Sequence, residues 1–149
     1  MKINTLRFGE IDIEEGRIFN FALPIIGFND LKRFVILDLN KDSFFKWLQS
    51  VEDPSLAFPV VSVFSMNVDY TIDLPDNVVE TLNISNVESI LVLNIASIPQ
   101  DNPQETTLNL LAPIIFNLDN QTAGQVILSG SGYDVSFPLF KKADKIDPS

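Results

Sequence analysis

Apolar side chains in this sequence recur mostly at every second position, in short runs broken by Gly, Pro, Asn and Asp. That spacing lines them along one face of an extended strand, whereas a helix needs intervals of three and four. Ile11 and Ile13 alternate with Asp12 and Glu14, and Val68 to Leu74 alternates throughout. Leu6 and Phe8 alternate with Arg7, and the parity then shifts across Gly9-Glu10, which predicts a bulge or tight bend. Glu14-Glu15-Gly16 predicts a turn, and an extended run resumes over Ile18–Phe21. Further strands are expected over Phe34–Leu39, Phe58–Phe64, Ser89–Ile95, Thr106–Asn117, Gln125–Leu128 and Tyr133–Leu139. Phe44–Val51 suits a strand with Phe45, Trp47 and Val51 on one face, or a short helix.

Helical signals are few. Pro75 or Asp76 can start a helix carrying Val78, Val79 and Leu82 on one side, and Asn29 can cap a single turn over residues 29–33. The expected fold is all-β and mainly antiparallel, a sandwich or barrel with one or two short helices. At 149 residues without a repeat or linker, one domain is expected over residues 1–140, followed by a polar tail over 141–149.

The sequence contains neither Cys nor His. That removes disulfides, thiol nucleophiles, Cys/His zinc sites and Ser-His-Asp triads. Charge is the next constraint: the formal net charge is −10, and no Lys or Arg lies between Lys46 and Lys141. Such a field disfavours nucleic acid and anionic membranes as direct partners and favours a basic protein. The N-terminus lacks an apolar export signal, and no apolar run is long enough to span a bilayer, so a soluble cytoplasmic protein is expected.

Candidate chemistry is sparse. Asp38, Asp42, Asp69 and Asp73 are the candidate carboxylates for paired acid–base work, although alternating Asp on a strand usually marks its solvent face. Gly130-Ser131-Gly132 lacks the strand–helix context of a phosphate loop, and Asp119-Asn120-Gln121 lacks calcium-loop spacing. No catalytic, cofactor-binding or metal-ligating residue is therefore assigned. A carbohydrate-binding module is the alternative, with Trp47, Tyr70 and Tyr133 stacking on sugars from one exposed face. A protein-binding role instead expects Trp47 largely buried. The loop Leu23-Pro24-Ile25-Ile26-Gly27-Phe28 is apolar, so it either folds onto the core or offers a contact.

Several strings resemble the flagellar assembly factor FliW family. They are Phe21–Phe28, Phe45-Lys46-Trp47-Leu48-Gln49-Ser50-Val51-Glu52-Asp53-Pro54, Leu56-Ala57-Phe58, Leu108-Asn109-Leu110-Leu111-Ala112-Pro113-Ile114-Ile115 and Gln125–Leu128. Their order and spacing match over roughly residues 3–140, with a departure at Ala22 and Ile25, where the family tends to have Phe-Pro-x-Gly. The resemblance implies a small β-barrel-like cytoplasmic protein without enzymatic activity or cofactor. It implies two protein partners: flagellin, and the RNA-binding translational regulator CsrA, which represses flagellin mRNA. Flagellin, while abundant, would occupy the protein, and its export would free the protein to capture CsrA. On this sequence, Asp69, Asp73, Asp76, Glu80 and Glu88 are the acidic candidates for the regulator, chosen for their density around the helix. Ile25, Ile26 and Phe28 are the apolar candidates for flagellin.

Overall fold

Alternation sorts the side chains of one short strand into two different cores. Phe34 and Ile36 pack into one apolar cluster, Val35 and Leu37 into another. A strand with apolar residues on both faces needs cover on both, and a barrel wall with outer layers supplies it. A computed structural model describes residues 1–38, 44–66 and 68–140.

The strands are β1 (Lys2–Thr5), β2 (Gly9–Asp12), β3 (Phe19–Leu23), β4 (Arg33–Leu37), β5 (Lys46–Ser50) and β6 (Ala57–Val61). After them come the helix α1 (Asp76–Thr81) and β7 (Ile90–Ser97), β8 (Thr107–Leu108), β9 (Ile114–Asn117), β10 (Thr122–Gln125) and β11 (Phe137–Pro138). Neighbours run β7-β6-β5-β4-β3-β10-β9, and β9 pairs back onto β7, closing a barrel of seven strands. Every pairing in it is antiparallel except β3 with β10. β8 and β11 extend the sheet from the end of β7, and β1–β2 form a separate hairpin. The fold is thus the all-β, mainly antiparallel barrel expected, with one α-helix and short 3₁₀ turns among the described residues.

Phe19, Phe21, Phe34, Leu48, Leu93, Ile114 and Phe116 share the first cluster. Its rings meet edge-on or tilted, Phe19 to Phe116 at 4.8 Å and Phe21 to Phe34 at 4.9 Å. Each such pair contributes about 0.5–1.5 kcal/mol beyond its area. The β1–β2 hairpin covers Val35 and Leu37 with Ile3 and Ile13. A third cluster lies under α1, where Val78 and Leu82 join Val61, Tyr70, Leu110 and Ile115. The parallel β3–β10 contact has its own requirement: a Cβ on Gly124 would lie 2.6 Å from the Cβ of Leu23, where the register shifts. Only glycine permits that approach.

Several local expectations are corrected. Leu6-Arg7-Phe8 is the hairpin turn, not strand, and Gly9 (φ 73°) re-enters the ladder after it, which explains the parity shift. Residues 68–75 alternate but pair with no strand among the described residues. Residues 29–30 form a turn closed by Leu31 N on Phe28 O at 3.2 Å, not the expected helical turn over 29–33, because Arg33 already belongs to β4 and Glu52 Oε1 accepts from the Lys32 and Arg33 N–H groups at 2.8 and 3.1 Å. Phe45 and Trp47 lie in different clusters. Thr106–Asn117 divides into β8 and β9, where Asn109 Oδ1 accepts from Ala112 N at 2.9 Å and turns the chain. Residues 126–128 follow β10 and hang instead on residues 111–113, Val126 N to Pro113 O at 3.0 Å and Leu128 N to Leu111 O at 2.8 Å. The last strand shrinks to Phe137–Pro138. Residues 39–43, with the end of the expected Phe34–Leu39 strand and Asp42, and the tail 141–149 lie outside the described residues.

Candidate functional site

β7 presents Ile90 and Val92 away from the barrel interior, and Ile115 of β9 sits beside Val92 in register. These residues floor an open groove of about 380 Å³, walled by Phe64, Ile72, Leu74 and Val87. Two walls are unusually exposed for apolar residues, Phe64 at 52% and Val87 at 79%. Contiguous exposed apolar surface of this kind is the usual mark of an interaction site.

The walls come from chain without ladder hydrogen bonds. After β6, Val63–Ser65 makes one 3₁₀ turn, and residues 68–75 run irregularly to α1. Two tyrosines hold this segment. Tyr70 Oη donates to Leu110 O at 2.6 Å and accepts from Asn94 Nδ2 at 3.1 Å. Tyr133 Oη accepts from Thr71 N at 2.8 Å and donates to Thr71 O at 3.1 Å. Burial raises the Tyr70 phenol above its ordinary value of 10.0, against the hydrogen bond from Asn94. α1 ends where Asn83 takes φ 53°, and Asn117 Nδ2 donates to Leu82 O at 2.9 Å and Asn83 O at 3.1 Å. That capping fixes the helix against β9.

All five acidic candidates are exposed, and none has an ion-pair partner among the described residues. Asp73 stands between the groove residues Ile72 and Leu74, and Glu88 follows Val87. Asp76 and Glu80 lie on α1, and Asp69 precedes Tyr70. Two exposed carboxylates thus stand next in sequence to groove walls, and residues 47–140 contain no Lys or Arg.

The apolar candidates divide. Ile25 is 2% exposed and packs in the barrel core, so its side chain is withdrawn from any partner. Ile26 faces solvent, and Phe28 is half-buried edge-on against Phe58 at 5.3 Å. The loop thus folds back on the core. Gln125 holds it there, accepting from Ile26 N at 2.8 Å while donating to Ala112 O at 3.0 Å. The groove, which the sequence did not single out, is a separate apolar surface. Its signal was present in the alternation of residues 68–74, whose Ile72 and Leu74 have no strand partner to cover them.

A sugar-stacking platform is not assembled. Tyr70 is 6% exposed with both faces of its hydroxyl engaged, while Trp47 belongs to another cluster. Trp47 is half-buried rather than largely buried; Phe8 meets it edge-on at 6.3 Å and the Arg7 guanidinium covers its ring at 4.0 Å. Among the described residues no group of His, Cys, Asp and Glu is arranged to hold a metal. No described helix is long and apolar enough to cross a membrane.

The strings of the Trp47–Pro54 segment turn out to build structure. Gln49, fully buried, donates from Nε2 to Ser50 O at 3.0 Å and Leu56 O at 3.1 Å. Ser50 Oγ accepts from Glu52 N and Asp53 N at 3.1 and 2.9 Å. Asp53 Oδ1 accepts from Ser55 Oγ at 2.7 Å and Ser55 N at 2.9 Å, which lowers its carboxyl below the ordinary 3.8. A turn specified this closely by side chains leaves a legible trace in sequence.

The chain is similar to known proteins in sequence and in overall fold. The family profile described as FliW protein matches residues 2–139. The flagellar assembly factor FliW of Clostridium tetani (strain Massachusetts / E88) is 37% identical over 145 residues, covering 97% of this chain and 99% of its own. That of Clostridium novyi (strain NT) is 38% identical over 142 residues, covering 95% and 99%. A crystal structure of the flagellar assembly factor FliW superposes with a TM-score of 0.87 at 37% identity, covering 95% of this chain and 99% of that one. With a near-full-length profile match, relatives of this identity and a shared barrel, the chain belongs to the FliW family of flagellar assembly factors.

Proposed function

We propose that this protein works in the cytoplasm, without catalysis, by binding flagellin and by antagonising the translational regulator CsrA through direct contact. The observation that carries the reading is the apolar groove at Phe64, Ile72, Leu74 and Val87, with the exposed Asp73 and Glu88 next in sequence to its wall residues. An amphipathic helix, the form flagellin's termini take when assembled, buries its apolar face in such a groove. An RNA-binding regulator presents basic surface, and Asp69, Asp73, Asp76, Glu80 and Glu88 form the complementary field. Ile26 and the edge of Phe28 remain a second apolar contact for flagellin. Asp73 and Glu88 adjoin the groove walls, so a helix seated there obstructs a regulator drawn to the same carboxylates. Mutual exclusion of that kind gives a partner switch a physical basis.

The test mixes the purified full chain with CsrA and then adds purified flagellin. The expected result is a complex with CsrA that flagellin displaces, and that weakens as salt rises. Failure of either protein to bind at micromolar concentration, or simultaneous binding of both, contradicts the reading.

A further inference from the structure

β4 is paired along its whole length on one side and at only two positions on the other. Toward β5, Phe34 to Leu37 face Ser50, Gln49, Leu48 and Trp47. Toward β3, only Arg33 and Phe34 have partners, Asn20 and Phe19. In an antiparallel ladder the backbone groups of successive residues point alternately to one neighbour and the other. The bond from Val51 N to Arg33 O at 3.0 Å assigns Arg33, Val35 and Leu37 to β5. The bond from Phe21 N to Lys32 O at 2.7 Å assigns Phe34 and Ile36 to the β3 side. Just before β3 the chain leaves the sheet in the 3₁₀ turn Glu15–Arg17, where Arg17 N donates to Glu14 O at 2.9 Å. Ile36 N–H and C=O are thus left without a backbone partner among the described residues.

A cleft of about 590 Å³ opens at this gap, lined among others by Ile13, Phe19, Val35, Leu37 and Leu118. Phe19 and Ile36 pack in the barrel interior, while Ile13, Val35 and Leu37 pack under the hairpin. Chain laid along β4 here therefore meets apolar neighbours on both of its faces. Charges stand only at the mouth: the N-terminal ammonium donates to Asp12 at 3.0 Å, Arg17 lies 3.9 Å from Glu14, and Asp38 and Lys46 are exposed beside them.

We propose that the open edge of β4 at Ile36 receives an extended apolar segment of a partner protein by strand addition, in line with β3. The occupant is defined by what is unpaired. A helix keeps its N–H and C=O groups for itself and offers nothing to Ile36, whereas an extended segment supplies both bonds and alternates its side chains over Phe19 and Leu37. The site shares no residue with the groove above and stands independently of the function proposed for it.

Amide hydrogen exchange on the full chain, read residue by residue by NMR, tests this. In the free protein Ile36 is expected to exchange roughly 100-fold faster than Val35 and Leu37, whose amides face β5. A capped hexapeptide of alternating valine and threonine, added at millimolar concentration, should slow Ile36 about tenfold and shift its resonance; the same peptide N-methylated at alternate positions should not. Ile36 as protected as its neighbours without peptide, or an equal response to the N-methylated peptide, overturns the proposal. Protection that rises with protein concentration alone also overturns it, since a second copy of the chain is then the occupant.

Discussion

The turn between β5 and β6 and the segment that follows β6 are built on opposite principles. In the first, Gln49, Ser50 and Asp53 direct side-chain hydrogen bonds onto neighbouring backbone, and little apolar surface is offered. In the second, the described residues of 62–66 and 68–75 pair with no strand, hang from Tyr70 and Tyr133, and expose Phe64 beside Ile72 and Leu74. The turn's residues are fixed by geometry; the segment's residues are fixed only by being apolar. Recognition from sequence rests on the first kind of region, and binding is proposed for the second.

The contrast breaks most sharply at Gln49. Gln49→Ala takes the side-chain donor from Ser50 O and one of two donors from Leu56 O, which keeps the Ser50 N–H at 3.0 Å, and should cost about 1–3 kcal/mol in urea unfolding. Flagellin and CsrA affinities of the folded fraction should stay unchanged. Gly124→Ala is expected to cost about 1–3 kcal/mol by forcing β10 away from Leu23, again with no effect on partners.

Within the second region, Tyr70→Phe should cost about 1–2 kcal/mol through the lost bond to Leu110 O. It also carries a pH signature. The unfolded phenol ionises near 10 while the folded one, raised by burial, keeps its proton longer. The folded state then binds more protons, so stability falls as pH climbs above about 10. That decline should be shallower in Tyr70→Phe, measured by thermal unfolding between pH 9 and 11. The smallest stability effect is expected at Phe64→Ser, within about 0.5 kcal/mol, because the ring is half exposed. Its effect on flagellin binding should nonetheless exceed about tenfold.

The barrel was legible because alternation and turn residues repeat along the chain, and α1 because Pro75, Val78 and Leu82 mark its start and its buried side. What misled was alternation without pairing. Leu6 to Phe8 and residues 68–74 carry the period of a strand, yet hydrogen-bond partners come from distant chain, which local pattern does not encode. The break between β8 and β9 depends on the local bond from Ala112 N to Asn109, and the register shift of β10 on Gly124 meeting the remote Leu23. Among the site residues, the carboxylate density around α1 was visible from charge alone. The groove was not, since it is assembled from β7, β9 and two loops. Ile25 was misplaced for a related reason: an apolar loop reads the same whether it folds inward or outward, and Gln125, a hundred residues away, decides.

The central claim is that the groove and the carboxylates next in sequence to its walls are where partners are held. Titration calorimetry of CsrA against the wild-type chain and against the double variant Asp73→Lys, Glu88→Lys tests it most directly. The account predicts at least tenfold weaker binding for the variant and a flattened salt dependence, with unfolding midpoints unchanged. Equal affinity and an equal salt slope for the two proteins would contradict it.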